Sequence, residues 1–241
     1  MTNKQFNTIF SAFILIGMAA ALVLTTFLKF SDAQTTYDRA ILLVSAVGAL
    51  TGILATVTGA NGKIITFLFG TIDVVIYSMM CIINHSYGTA AMHLLYLLPM
   101  QFVGIYQWKK RGASRKSEVK PRRLGARQWA LAAGVFLVAS AVAYVVLLQF
   151  NEEAAGKFFV AAVLTDALVT VCNIFGQFLM STAYAEQWFF WIGVNISSIT
   201  MWSIALGKPE TADFALIYVV KYCFYLLNAI NGLRNWLQRS R

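Results

Sequence analysis

The sequence predicts an all-α integral membrane protein with about eight transmembrane helices. Of its 241 residues, 59% are hydrophobic and 12% are charged, and that charged fraction is roughly half the value of an ordinary soluble domain. A bilayer core about 30 Å thick is crossed by about 20 helical residues. The chain repeats apolar stretches of that length between short polar breaks, so a soluble globular protein is excluded.

The predicted spans follow one another from the N-terminus to the C-terminus. They cover residues 6–29, 40–57, 63–83, 88–108, 128–150, 158–183, 187–206 and 214–236. The first stretch is too long for the apolar region of a signal peptide and lacks a small-residue cleavage site. It is therefore predicted to be a helix that stays in the protein.

Basic residues predict the orientation of the chain. Nine of the 19 lysines and arginines lie between Lys109 and Arg127, in the only long connector between spans. Cytoplasmic loops of membrane proteins are enriched in lysine and arginine. We therefore expect a multi-pass protein of a bacterial inner membrane, with this basic connector and both termini in the cytoplasm.

A short motif near the end of the fourth span recurs near the end of the eighth. Gly104 and Trp108 are spaced like Gly232 and Trp236, with an amide before each tryptophan. An even number of spans separates the copies, which predicts two parallel three-helix bundles with a linking helix between them. The predicted parts are an extra N-terminal helix at 1–38, a first bundle at 39–108, the basic loop and linker helix at 109–157, and a second bundle at 158–241.

Polar residues recur at helical spacing within the bundle spans. In hydrocarbon a polar side chain is costly unless it has a partner or water, so such a face is expected to avoid lipid. On span six the face carries Asp166, Thr170, Asn173 and Gln177. On span seven it carries Trp188, Trp191, Asn195, Ser198 and Trp202. Large rings beside an amide and a hydroxyl suit a flat, polar ring as ligand.

Three further spans carry polar faces. On span eight the face holds Lys221, Tyr225, Asn228, Gly232 and Asn235. In the first bundle, Thr66, Gly70, Asp73 and Tyr77 share a face of span three, and His93 and Gln101 share one of span four. Lys221 is expected to meet a carboxylate or a substrate, and both Asp73 and Asp166 are possible partners. The predicted substrate-binding residues are Asp73, Gln101, Asn173, Gln177, Trp188, Trp191, Asn195, Ser198, Lys221, Tyr225 and Asn228.

Three kinds of function compete at this point. A carrier uses the polar faces as a water-accessible cavity, an intramembrane enzyme would use Asp73 and Asp166 as its carboxylates, and a scaffold would use the faces only for helix packing. The chain has no phosphate-binding loop, metal-binding helix motif or serine nucleophile turn. Neither a cofactor nor a metal is therefore expected, and a carrier with a small-molecule substrate is favoured over an enzyme.

Three stretches of the sequence, in spans four, seven and eight, resemble the PnuC-type vitamin transporters. The resemblance rests on AEQWFFWIGVNISSITMW in span seven and on YLLNAINGLRNW at the end of span eight, with its partner LYLLPMQFVGIYQWKK in span four. It extends over spans two to eight. The resemblance implies the SWEET-like order of three helices, a linker and three helices, preceded by an additional helix.

The resemblance also implies a function. It implies facilitated diffusion of nicotinamide riboside, a precursor in NAD biosynthesis, with inward flux maintained because a cytoplasmic kinase phosphorylates the substrate. Thiamine or riboflavin is the alternative cargo within the family, and a homotrimer is the implied assembly. Carried onto this chain, the family's binding pattern falls on Trp188, Trp191, Asn195, Asn228 and Gln101.

Overall fold

A computed structural model of the protein describes residues 3–32, 35–83, 85, 87–150, 160–205 and 212–240. Within these ranges the chain folds into eight long helices. They are α1 Asn3–Asp32, α2 Thr36–Ala60, α3 Thr66–Ile83, α4 at 87–110, α5 Ala126–Gln149, α6 Ala161–Ser181, α7 Gln187–Ala205 and α8 Ala212–Arg239. The all-α prediction is confirmed, and the helices follow the predicted spans in order.

Hydropathy separates the helices into two groups. Helices α1, α2, α3, α5 and α6 contain the 5 described segments that are long and apolar enough to cross a membrane. Helices α4, α7 and α8 carry many of the polar residues predicted on spans four, seven and eight. The predicted start of span six at Phe158 and the predicted end of span seven at Leu206 lie outside the described residues.

Helix α4 covers the predicted fourth span without a break, but it is not regular. It consists of Tyr87–Met92, a π-helical turn at His93–Leu97, and Leu98–Lys110. Pro99 has no N–H to donate to the preceding turn and its ring crowds the carbonyl four residues back. Widening the preceding turn relieves both effects, and π turns of this kind are common at functional sites.

Six helices form a closed ring. Each of α2, α3, α4, α6, α7 and α8 packs against the next in that order, and α8 packs against α2 to complete the circle. The first triplet, α2 to α4, and the second triplet, α6 to α8, therefore meet at two seams. One seam lies between α4 and α6, and the other lies between α8 and α2.

The remaining two helices lie outside the ring. Helix α1 packs on α2 and α8, where the Asn7 Nδ2 donates to Asn235 Oδ1 at 3.1 Å and Asn61 Nδ2 donates to Ser11 Oγ at 2.8 Å. Helix α5 packs on α6. As the apolar sequences of their spans predict, both helices lie around the polar ring.

The two triplets contain the same turn. Gly62 lies two residues after the end of α2 with a φ of 68°, and Ala183 lies two residues after the end of α6 with a φ of 62°. The Gly62 N–H donates to the Gly59 carbonyl at 2.9 Å, and the Ala183 N–H donates to the Met180 carbonyl at 3.0 Å. Around this turn, each residue of the second triplet follows its counterpart in the first by the number of positions that separates Gly62 from Ala183, which is 121. The motif of Gly104 recurs 128 positions later, at Gly232, and the predicted parallel repeat is visible in this geometry.

Candidate functional site

Four aromatic rings close one end of the ring of helices. This aromatic layer consists of Phe67, Trp108, Trp188 and Trp236, each at most 4% exposed. Ring centroids are separated by 4.8 Å between Phe67 and Trp108, 5.4 Å between Trp108 and Trp236, and 6.2 Å between Trp236 and Trp188. The connector at 111–125 crosses the same end, which we call the loop end.

Two tryptophans of the aromatic layer join the triplets. Trp108 at the end of α4 donates from Nε1 to the Met180 carbonyl of α6 at 2.8 Å. Trp236 at the end of α8 donates from Nε1 to the Gly59 carbonyl of α2 at 3.1 Å. Gly59 and Met180 are equivalent in the repeat, so each tryptophan bonds to the same position of the other triplet.

The glycine of the repeated motif makes room for the aromatic layer. A Cβ atom on Gly104 would lie 2.1 Å from the Phe67 ring, and one on Gly232 would lie 2.7 Å from the Trp188 ring. Both distances are shorter than real carbon contacts, because they fall well inside the optimal separation of about 3.5 to 4.0 Å. The motif is therefore a packing unit that seats one ring and anchors one tryptophan.

Helix α7 presents the aromatic and polar side chains predicted for span seven. Trp188 belongs to the aromatic layer, and its buried Nε1 has no hydrogen-bond partner among the described residues. Trp191, one turn further in, packs over Gly176 of α6, where a Cβ would be 3.0 Å from the ring. Asn195 and Ser198 are each 7% exposed. Within the described part of the chain, no side-chain hydrogen bond engages either of them.

Gln101 of α4 reaches the neighbouring helix α3. Its side chain is 4% exposed, and its Nε2 donates to the Leu97 carbonyl of its own helix at 3.2 Å. The Oε1 atom faces Gly70, where a Cβ would be 2.7 Å away. Gly70 therefore provides the space in which this amide lies.

The side-chain amides of Asn173 and Gln177 on α6 donate hydrogen bonds to other groups of the protein. Gln177 Nε2 donates to Ser181 Oγ at 3.0 Å, and Ser181 Oγ donates to the Met100 carbonyl of α4 at 2.9 Å. Asn173 Nδ2 donates to the Val169 carbonyl of its own helix at 2.9 Å. Gln177 thus supports the seam between α4 and α6, and Asn173 is held by its own turn.

On α8, Asn228 and Tyr225 are held against α2. Asn228 is 1% exposed, and its Nδ2 donates to the Thr56 carbonyl at 3.2 Å. The Tyr225 side chain also hydrogen-bonds Thr56. Thr56 is a residue that the sequence did not point to, because α2 also contains Thr51 and Thr58 and nothing in the sequence singles out one of the three.

The structure identifies the acidic partner of Lys221. Lys221 interacts electrostatically with Asp73, and its Nζ lies 5.5 Å from the centre of the Tyr225 ring. The Asp73 carboxylate lies against Gly52 of α2, 3.0 Å from the position of a Cβ there. Asp166 is exposed on the outer part of α6. Of the two carboxylates, Asp73 is therefore the one whose charge acts on Lys221.

Gly52 is a further residue that sequence reasoning missed. With Gly48 it forms a Gly-x-x-x-Gly pattern on α2, which allows close approach of two membrane helices. A Cβ on Gly48 would lie 2.7 Å from Ile76 of α3. This pattern was the available signal that α2 and α3 pack closely around Asp73.

Cysteines and metal-binding groups add no chemistry to this site. Cys81, Cys172 and Cys223 are free. Among the described residues, no cluster of three histidine, cysteine, aspartate or glutamate side chains is arranged to hold a metal ion. The His93 ring packs at a tilt against the Tyr77 ring with centroids 4.7 Å apart, which places His93 at the contact between α3 and α4 within the first triplet.

Comparison with known proteins shows which relatives share this arrangement. The curated relatives include the nicotinamide riboside transporter PnuC of Neisseria mucosa, which is 34% identical over 80% of this chain and 71% of its own. The protein of the same name from Haemophilus influenzae is 29% identical over 80% of this chain and 78% of its own. The one from Escherichia coli is 20% identical over 82% and 86%.

A solved structure and a family profile extend the comparison. The crystal structure of the vitamin B3 transporter PnuC superimposes with a TM-score of 0.68 at 30% identity, covering 100% of this chain and 93% of that one. The profile of the nicotinamide mononucleotide transporter family matches residues 42–238, a range that covers most or all of each of the six helices of the ring. The chain therefore belongs to this family of multi-pass membrane transporters, and it is a transporter rather than an enzyme.

Proposed function

We propose that this protein carries nicotinamide riboside across the membrane by facilitated diffusion. The observation that carries the proposal is the face of α7, where Trp191 lies one turn from Asn195. Asn195 is buried, yet its amide makes no hydrogen bond to another described residue. The amide is therefore available to a ligand, and the carboxamide and ribose of nicotinamide riboside offer it donors and acceptors. The relatives named as riboside transporters support the same choice.

The charge of the site also suits this ligand. A nicotinamide ring joined to ribose is a cation, and stacking on Trp191 would contribute about 0.5 to 2 kcal/mol of cation–π attraction. Lys221 would repel such a ring if its charge were not offset, and Asp73 offsets it. The mononucleotide in the family description carries a phosphate dianion, and this neutral pair offers that group no net positive charge.

The wider binding site in this proposal comprises four groups of side chains. Trp188, Trp191, Asn195 and Ser198 come from α7, Gln101 comes from α4, and Asn173 and Gln177 come from α6; Asp73 of α3 lies with Lys221, Tyr225 and Asn228 of α8. We propose that the halves at 39–108 and 158–241 rock about this site, as the parallel repeat suggests. The extra helix at 1–38 and the loop and linker helix at 109–157 are the two parts of the chain that lie outside these halves.

The orientation proposed for the protein follows its charges. The loop end gathers the basic connector with Lys63 and Arg239, so it is assigned to the cytoplasm of a bacterial inner membrane, together with both termini. In this proposal a cytoplasmic kinase phosphorylates the riboside and maintains inward flux. A homotrimer is proposed as the assembly.

Calorimetric titration of the purified protein tests the cargo. Nicotinamide riboside is expected to bind, whereas the mononucleotide, thiamine and riboflavin are not. Trp191→Ala and Asn195→Ala are expected to weaken riboside binding about tenfold or more, because the first removes the stacking ring and the second removes an amide that makes no hydrogen bond within the described residues. Ile196→Ala is the matched control, since that side chain is 51% exposed on the opposite side of the same helix.

The alternatives give distinct titration results. Binding of thiamine or riboflavin in place of the riboside would keep the carrier and change its cargo. Tight binding of the mononucleotide would contradict the charge argument. If none of the four compounds binds to folded protein, the proposed site is wrong.

The position of Trp191 provides a second test of the same site. In Gly176→Ala the new methyl group would lie 3.0 Å from the Trp191 ring, so the ring must shift by a few tenths of an ångström. We expect riboside binding to weaken about threefold while thermal stability changes little, because a partly exposed ring can move. Gly193→Ala, whose Cβ would lie 3.8 Å from Cys172 across the same pair of helices, is expected to leave binding unchanged. Equal effects of the two substitutions would show that Trp191 does not contact the ligand.

A further inference from the structure

The connector between α4 and α5 is packed onto the protein. Its segment 111–123, which we call the strap, hydrogen-bonds both repeated turns. The Val119 N–H donates to the Gly62 carbonyl at 3.0 Å, and the Arg122 N–H donates to the Ala183 carbonyl at 2.9 Å. Because Gly62 and Ala183 are equivalent positions in the repeat, the strap bridges the two triplets at their loop end.

Side chains of the strap complete the closure of the loop end. Ala113 is 5% exposed and Val119 is 2% exposed, and both belong to the same apolar cluster as the aromatic layer. The strap also has a structure of its own, since Arg111 Nε donates to the Lys120 carbonyl at 2.8 Å and Ser117 Oγ donates to the Gly112 carbonyl at 2.7 Å. It is therefore a preformed cover over the four rings.

The strap is held firmly on the second triplet. Arg123 Nε pairs with Glu186 Oε1 at 2.8 Å, and the Glu186 side chain is completely buried. The Arg122 guanidinium lies 4.2 Å from the centre of the Tyr184 ring, and its Nε donates to the Thr182 carbonyl at 3.1 Å. Removing this attachment would leave a buried carboxylate without its cation, so it is expected to persist.

The opposite edge of the strap is held more weakly. Glu118 pairs with Arg239 Nη1 at 2.7 Å, but the Glu118 side chain is 50% exposed. The Arg239 guanidinium lies over Gly62, where a Cβ would be 2.6 Å from Nη1. Burial lowers the pKa of Arg239 and Glu118 opposes that effect. Each ion pair has one half-exposed partner, but the second partner is completely buried in the Arg123–Glu186 pair and 20% exposed in the Glu118–Arg239 pair. Water and salt therefore screen the Glu118–Arg239 pair more, and this edge is the one that releases at lower cost.

We propose that the strap is the latch of a gate at the loop end. It stays attached to the turn at 182–186 and releases the contacts of Glu118 and Val119 when the protein opens on that side. This inference rests on the proposed function, since a carrier must open the aromatic layer to release its substrate there. Glu118 and Arg239 then set how often the gate opens, although neither touches the substrate.

Accessibility of the strap tests the latch without any substrate. The native cysteines Cys81, Cys172 and Cys223 are first replaced by serine. Ala113→Cys, at a buried position of the strap, is then labelled with a water-soluble maleimide, and Arg115→Cys, at an exposed position of the strap, is the control. Glu118→Gln is expected to raise the labelling rate at position 113 about threefold, as a screened ion pair predicts, and to leave the rate at position 115 unchanged. An unchanged rate at position 113 would overturn the proposal.

Cross-linking provides the transport test. Glu118→Cys and Arg239→Cys are joined by a short bifunctional thiol reagent in the full chain, reconstituted in vesicles. Riboside counterflow is expected to stop and to recover after reduction, while riboside binding persists. Undiminished counterflow in cross-linked protein would refute the latch. If riboside fails to bind before cross-linking, the proposed function fails, and the labelling experiment still decides the latch.

Discussion

Replacing Asp73 by asparagine is expected to lower the free energy of unfolding by about 3 kcal/mol. The substitution removes the carboxylate that offsets the charge of Lys221 on α8. An ammonium group placed within a membrane span without its counter-charge is costly. Thermal unfolding of the purified protein in detergent is the measurement.

Two further variants separate charge from packing at this position. Lys221→Met added to Asp73→Asn is expected to restore most of the lost stability, because the pair is then removed as a unit. Asp166→Asn makes the same chemical change on an exposed side chain of α6 and is expected to change stability by less than about 0.5 kcal/mol. Equal losses for Asp73→Asn and Asp166→Asn would contradict the assignment of the pair.

Gly104→Ala is expected to destabilise the protein by about 3 kcal/mol, through overpacking. Its Cβ would lie 2.1 Å and 2.3 Å from two carbons of the Phe67 ring. Phe67 is fully buried and packs edge-on against Trp108 with ring centroids 4.8 Å apart, so it has no space into which to move. Denaturant unfolding monitored by tryptophan fluorescence measures the loss.

The same substitution elsewhere in the protein gives the control. Gly134 lies on α5, and nothing lies within 4 Å of a Cβ built there. Gly134→Ala is therefore expected to stabilise the protein by about 0.5 to 1 kcal/mol through helix propensity alone. The same glycine-to-alanine substitution is thus expected to lower the free energy of unfolding at position 104 and to raise it at position 134. A loss at both positions would show that the close contact at Gly104 is not the cause.

The sequence predicted the helices because a segment that crosses the hydrocarbon core must be a helix of about 20 mostly apolar residues. Span three was predicted to end at Ile83 and span seven to begin at Gln187, and both helices do so. The π turn at His93–Leu97 was missed, although Pro99 was a signal that the helix before it could not be regular. The position of an irregular turn depends on steric contacts between neighbouring residues, and a hydropathy profile reports only how apolar those residues are.

Contacts between distant parts of the chain were less predictable. The stripe on α7 predicted that Asn195 and Ser198 would be buried, and both are. The choice between Asp73 and Asp166 as partner of Lys221 required the burial of each side chain, since Asp166 is exposed whereas the Asp73 carboxylate lies against Gly52. The strap was predicted only as a basic loop, because its partners, such as Glu186 for Arg123, lie more than sixty residues away. Nothing in local composition distinguishes a solvated basic loop from one that is anchored.

The repeated turns have a consequence for the history of the chain. Positions related by the repeat are Phe67 and Trp188, Gly70 and Trp191, and Val74 and Asn195. The two triplets thus share the backbone of this turn, whereas the stacking ring and the amide that we propose to bind the ligand are present only in α7. Where α7 has the ring of Trp191, α3 has Gly70, and the space is taken by the amide of Gln101 from the next helix. The backbone of the two triplets is therefore symmetric while the proposed stacking ring comes from α7 alone, so a change of cargo is expected to involve substitution at position 191 or 195.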